Sequence, residues 1–152
     1  MKPSTSLLLS LRHNSKLVDV KKKKWRGGKL NRCFQNAAFF SADKKDYEIV
    51  SGWLVGDNFQ GVGTVFIPHY WVLHTPSGEY FDTSPMAGED IQLYEYVLDM
   101  DIYLNLTQIS YVPPPVILRE SGRLQVRISE TQLVDIETID IRHLYSLIRN
   151  LD

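Results

Sequence analysis

Three side chains in the first half of this chain are of the types that together perform thiol chemistry: Cys33, His69 and Asp82. Cys33 is the only cysteine and opens "CFQNAAFFSADKK", where the alanines and the spacing of Phe34, Ala37, Ala38 and Phe40 predict a helix over 31–45. At the first turn of a helix the backbone N–H groups lack intrahelical partners and the dipole is positive, and both favour a thiolate over a thiol. The competing reading is a small buried hydrophobe, the commonest fate of an unpaired cysteine. His69 begins "HYWVLHT", in which alternation puts His69, Trp71 and Leu73 on one face and Tyr70, Val72 and His74 on the other. Asp82 follows thirteen residues later, beyond the turn "PSGE". A strand returning from that turn brings the carboxylate beside the histidine, where it can fix the imidazole tautomer and stabilise the imidazolium. The other ring nitrogen is then free to take a thiol proton. With His69 and His74 on opposite faces, and no C-x-x-C or H-E-x-x-H spacing, no metal site is expected, and no cofactor.

The elements that must position these groups are legible to different degrees. Asn31 is a good N-cap type for the predicted helix. "YEIVSGWLVGD" reads as a strand, "DNFQGVG" as a glycine-rich loop, "TVFIPHYWVLHT" as a long strand with a bulge or free edge at Pro68, and "EYFDT" as the returning strand. The simplest arrangement is one helix followed by an antiparallel meander. Upstream, the apolar groups Leu7 to Leu11 and Leu17 to Val20 suggest short strands, or a strand and a turn. The run "KKKKWRGGK", residues 21–29, reads as a solvated, mobile loop, with a nuclear-localisation or electrostatic steering patch as the functional alternatives. In the second half, 89–106 is either a helix or a strand pair, "YVPPPVI" an extended connection, and "RLQVRIS" an alternating strand. Ile141, Leu144, Ile148 and Leu151 form the apolar stripe of a closing amphipathic helix, with His143 off the stripe.

Composition bounds the rest. A chain of 152 residues, 43% hydrophobic, suits a single domain over 1–152 with a core of its own. A formal charge of −1 argues against a dedicated nucleic-acid binder. The apolar run "LLLSL" is too short for a secretory or membrane-spanning segment, so a cytoplasmic protein with no membrane partner is expected.

"RCFQNA" followed by "HYWVLHTPSGEYFDTSP" resembles the transglutaminase-like and papain-like cysteine enzymes, over residues 31–85. In that superfamily a cysteine opens a helix, a histidine starts a strand in an H-x-W-V context, and an aspartate follows one strand later. The resemblance implies an α+β fold with the cysteine-bearing helix packed on an antiparallel sheet, Cys33 as nucleophile, His69 as base and Asp82 as the orienting acid. It also implies acyl transfer on an amide of a protein or peptide: peptidase, amidase, deamidase or transglutaminase chemistry. Two departures stand out. Leu73 and His74 occupy the place of an acidic residue usual in transglutaminases, and "GGKLNR" lacks the glutamine that precedes a papain-type nucleophile. The oxyanion donors are therefore open among the backbone N–H of Cys33, Gln35 and Asn36, with Asn36 preferred as the polar neighbour one turn along. Trp53 and Trp71 either wall a substrate groove or are plain core. Two other functions compete: an inactive member of the fold serving as a binding or inhibitory module, and a single-strand nucleic-acid binder using Lys21 to Lys29 with Trp25 interleaved.

Overall fold

The computed structural model describes residues 1–30, 32–57, 63–85, 94–102, 115–129 and 131–149. The architecture is α+β, with helices packed on an open sheet that has nine strands among the described residues. The order along the main path is β1 (Lys16–Val18), β6 (Glu95–Leu98), β3 (Tyr47–Gly56), β4 (Thr64–His74), β7 (Val116–Leu118), β8 (Leu124–Arg127) and β9 (Leu133–Ile136). Off this path, β5 (Glu79–Asp82) pairs antiparallel with the end of β4 and carries β2 (Val20–Lys22) on its far edge as a parallel partner. The expected meander is present as β3, β4 and β5. The predicted loop "DNFQGVG", the triple proline, the Asn31 cap and Leu151 fall wholly or largely outside the described residues, as does the side chain of Ile148.

The N-terminal segment corrects one expectation. Residues Pro3–Leu11 form a helix, α1, rather than a strand. Proline in the first helical turn costs no hydrogen bond and presets the backbone angle, and Leu8 is fully buried against the sheet. The helix is fixed by Ser4 Oγ, which donates to Asp57 Oδ1 at 2.9 Å, and by Thr5 Oγ1, which donates to Glu95 Oε1 at 2.7 Å. The cysteine-bearing helix, α2 (Cys33–Ser41), begins two residues inside and ends four residues short of the predicted span 31–45, and is capped by Arg32 without a side-chain hydrogen bond. It lays Ala37 and Phe40 on the sheet. The closing helix, α3 (Ile141–Arg149), buries Ile141 and Leu144 and leaves His143 exposed, and Asp140 Oδ1 accepts the N–H groups of Arg142 and His143 at its start.

β4 is the element on which the candidate site depends. Its inner edge pairs with β3 from Val65 to His74. Its outer edge is shared: β7 takes Thr64 to Phe66 and β5 takes Val72 to His74. Between them, Ile67 to Trp71 has no registered strand partner among the described residues. Pro68, which has no N–H to offer, lies in that gap, which accounts for a proline inside an otherwise central strand. The two faces of β4 enter different buried clusters, Phe66, Tyr70 and Val72 with α2 and Trp71 with Val50, Leu54 and Tyr96.

Across β4 from His69 stands Gly52. A Cβ there would lie 1.9 Å from the carbonyl oxygen of Val97 and 2.5 Å from Cη2 of Trp71. The first contact is backbone in a central strand and cannot be relieved by a rotamer change. Gly52→Ala is therefore expected to cost about 3 kcal/mol and lower the melting temperature by roughly 10 °C, measured by thermal denaturation. A melting temperature within a degree of the parent would show that the strands separate freely at this point.

Candidate active site

Asp82 ends β5 and is fully buried. Its place one step beyond the Val72–Phe81 pair puts it on the same face as Trp71 and His69. Asp82 Oδ2 meets His69 Nε2 at 2.8 Å and also accepts the hydroxyl hydrogen of Tyr96, while Oδ1 accepts the N–H of Ser84 at 2.9 Å. Its backbone carbonyl accepts the N–H of Lys23 at 2.8 Å. Burial alone would raise this carboxyl, but the charge and hydrogen bond of His69, with the donors Tyr96 and Ser84, lower it below its ordinary value. The Tyr96 phenol is pushed far up by burial and by the adjacent carboxylate, so it stays protonated and acts only as a donor toward Asp82.

His69 is buried between Asp82, the Trp71 indole stacked at 6.1 Å and the Tyr96 ring at 6.2 Å. Burial disfavours the imidazolium, yet the charges and hydrogen bonds of Asp82 and then Cys33 raise its pKa to about 10. With Nε2 committed to Asp82, exchange with the sulfur falls to Nδ1.

Cys33 approaches from the other direction. It lies at the first residue of α2, half-buried, near enough to the His69 imidazole for that group to lower its thiol. The backbone of Tyr70, in the part of the β4 edge that neither β5 nor β7 covers, also lowers the thiol. Burial pushes the thiol up, the hydrogen bond and charge of His69 and the Tyr70 contact pull it down, and the net shift is downward. Cys33, His69 and Asp82 thus lie in line, with the buried His69–Asp82 pair at 2.8 Å and the thiol beside it lowered by the imidazole. Such a line can attack a carbonyl and hand a proton to the group that leaves.

The remaining candidates lie elsewhere than expected. Asn36 is buried, with its amide fully engaged: Nδ2 donates to Lys29 O at 2.7 Å and Ser84 Oγ at 3.1 Å, and Oδ1 accepts from Lys29 N at 2.9 Å. It clamps the segment before α2 against the residue that caps Asp82, and neither amide hydrogen faces a substrate. Gln35 is exposed one residue earlier, its Oε1 accepting from Arg32. Trp53 and Trp71 are both fully buried, so neither walls an open groove. Trp53 belongs to the main core with its indole N–H on Asp99 Oδ2, and Trp71 is packed under His69.

The basic run is also placed differently. Val20 to Lys22 form β2 on β5, and beyond Lys23 the indole N–H of Trp25 donates to Thr83 O at 2.7 Å. Residues 20–29 are therefore a strap tied along Asp82 to Ser84 and ending at α2, with the side chains of Lys21, Lys22, Lys24, Arg26 and Lys29 exposed. Tyr96 and Ser84, which hold Asp82, escaped the sequence reading. The only signal for Tyr96 was the alternation of "YEYVL".

Among the described residues no cluster of three or more candidate ligands could hold a metal ion, and no helix is long and apolar enough to cross a membrane. Compared with known proteins, the chain matches no family model, no curated protein and no solved structure.

Proposed function

We propose that this protein is a cysteine-dependent acyl-transfer enzyme acting on an amide of a protein or peptide, with a papain-like or transglutaminase-like core. The observation that carries the reading is the buried His69–Asp82 pair at 2.8 Å beside the half-buried Cys33, whose thiol the imidazole lowers. In the first half-reaction the thiolate forms a bond to the amide carbon and the carbonyl π electrons move to oxygen. The N-terminus of α2, beginning with the backbone N–H of Cys33, meets that oxyanion. Gln35 is the side-chain amide at the surface nearby, since that of Asn36 is committed. When the tetrahedral adduct collapses, the C–N bond breaks and the leaving amine takes the proton from His69. A water molecule or a second amine then gives its proton to the neutral imidazole, attacks the thioester carbon and releases the thiolate.

The test is alkylation by iodoacetamide at pH 6, followed by intact mass against N-acetylcysteine as the free-thiol standard. With a single cysteine in the chain, one mass increment reports Cys33 alone. A rate at least about tenfold above the standard is expected, because most of a free thiol with pKa near 8.5 is protonated at this pH. A rate equal to the standard would leave the inactive binding module as the better account.

A further inference from the structure

Charge is sharply segregated in this sequence. Seven of its seventeen basic residues lie between Lys21 and Arg32, and no acidic residue occurs from Val20 to Ala42. The rest of the chain carries ten basic residues against eighteen acidic ones. The fold places this basic segment beside the thiol. It runs along Asp82 and Thr83, is pinned at Lys29 by Asn36, and leads directly into Cys33. Lys21 is paired with Glu79 at 3.2 Å and Lys23 lies over the Phe81 ring. Lys22, Lys24, Arg26 and Lys29 are exposed and have no carboxylate partner among the described residues. The outer face of α2 adds Arg32, Gln35 and Phe39, which fall at helical spacing and are all exposed, Phe39 at 69%, and Leu30 in the preceding segment is exposed at 51%.

From this arrangement we infer that the strap residues 22–29 and the Arg32–Gln35–Phe39 stripe recognise the substrate, and that the substrate is an acidic polypeptide segment bearing an apolar side chain. The inference rests on the acyl-transfer reading for the nature of the substrate and on charge and exposure for its composition. Exposed cations clustered at one site raise the local concentration of an anionic partner and orient it, while the exposed Phe39 and Leu30 offer apolar area to a neighbouring side chain. A nucleic acid would need the aromatic ring of the strap for stacking. That ring is occupied: Trp25 donates its N–H to Thr83, packs edge-on against Phe40 at 5.5 Å, and has its Cζ3 2.3 Å from where a Cβ on Gly27 would stand.

The experiment is fluorescence anisotropy with a labelled glutamate-rich peptide containing one phenylalanine, on the full chain. A lysine-rich peptide and a single-stranded oligonucleotide of matched length serve as the comparison probes. The acidic peptide is expected to bind the parent and Cys33→Ala equally, and to bind the Lys22→Glu/Lys24→Glu/Arg26→Glu variant about tenfold or more weakly. Phe39→Ala is expected to weaken it several-fold with an unchanged salt dependence. Arg26→Glu alone, outside β2, keeps the test readable if the triple variant unfolds. Equal affinity of parent and charge-reversed chains, or tighter binding of the oligonucleotide, would overturn the inference. Binding that behaves as expected with a thiol no faster than N-acetylcysteine would preserve the recognition surface and remove the enzyme; a fast thiol with no peptide binding would do the reverse.

Discussion

Replacing Asp82 by asparagine is expected to slow alkylation of Cys33 at pH 6 by about tenfold or more, and to lower any acyl-transfer rate by about 10³–10⁴-fold, the cost of holding a catalytic imidazole in the wrong tautomer. The local donors dictate the direction. The substituted side-chain amide has one oxygen and one NH2. Placing the NH2 at the present Oδ1 position sets it against the N–H of Ser84, donor to donor. Placing it at Oδ2 lets it donate to His69 Nε2 while the Tyr96 hydroxyl turns to accept, so this orientation is favoured. The imidazole is then obliged to carry its proton on Nδ1, facing the sulfur, and cannot take one from it. Charge acts the same way. The Asp82 carboxylate is the first cause that raises His69 against burial, and imidazolium in turn is the main cause that lowers the thiol. Asp82 also repels the thiolate directly, but that is the smallest contribution to the Cys33 shift, so its loss does not compensate. The acid limb of the alkylation profile should therefore move to higher pH. Tyr96→Phe, which removes one donor and leaves the carboxylate, should change the rate by less than about threefold, since Ser84 and His69 remain. An Asp82→Asn variant that alkylates at the parent rate would show that the thiolate is set by the helix terminus and Tyr70 alone.

How much of this was readable in advance follows from the range of each interaction. His69 and Asp82 are joined by a hairpin, and strand alternation across a short turn is local information; the same parity that puts Leu73 and Tyr80 together puts Asp82 on the face of His69. Cys33 at the start of a helix was likewise readable from the alanines and phenylalanines that follow it. The donors on Asp82 were not. Tyr96 reaches it from β6, which lies on the far side of β3, and no spacing in the sequence encodes that neighbour. The parallel pairing of β2 with β5 is equally non-local, and a run of four lysines masks a strand whose contribution is backbone hydrogen bonding rather than side-chain burial. The α1 segment misled for another reason. Its apolar run is short, and the signal that decided the matter was Pro3 in the first helical turn, followed by Ser4 and Thr5, whose hydroxyls find acceptors only in the folded sheet. Trp53 and Trp71 carry ring area that could serve a groove or a core equally well; what buries them is the sheet and the elements packed on it.

Asp99 shows what that hidden scaffold contributes, and Asp99→Ala is expected to be among the most damaging single substitutions outside the site. The residue follows β6 and is almost fully buried. Its carboxylate accepts from Arg12 Nε at 2.8 Å, from the Trp53 indole at 3.0 Å and from the N–H of Asp101 at 3.1 Å. Arg12 ends α1 and is itself mostly buried; burial opposes its charge, and Asp99, then Asp101, restore it. Truncating the carboxylate leaves a buried guanidinium with, among the described residues, the more exposed Asp101 as its charged partner, and strands the indole N–H in the core. Breaking a buried pair from one side costs about 3–5 kcal/mol, chiefly through the charge left behind. For a chain of this size that is a fall in melting temperature of roughly 10–15 °C. Asp99→Asn keeps an acceptor for the indole or for Arg12 and should cost clearly less. The distinguishing reading is the double variant Arg12→Met/Asp99→Leu. If the penalty comes from an unpaired buried charge, removing both charges recovers much of the loss of Asp99→Ala, whereas a double variant as unstable as the sum of its parts would place the cost in packing around Trp53 instead.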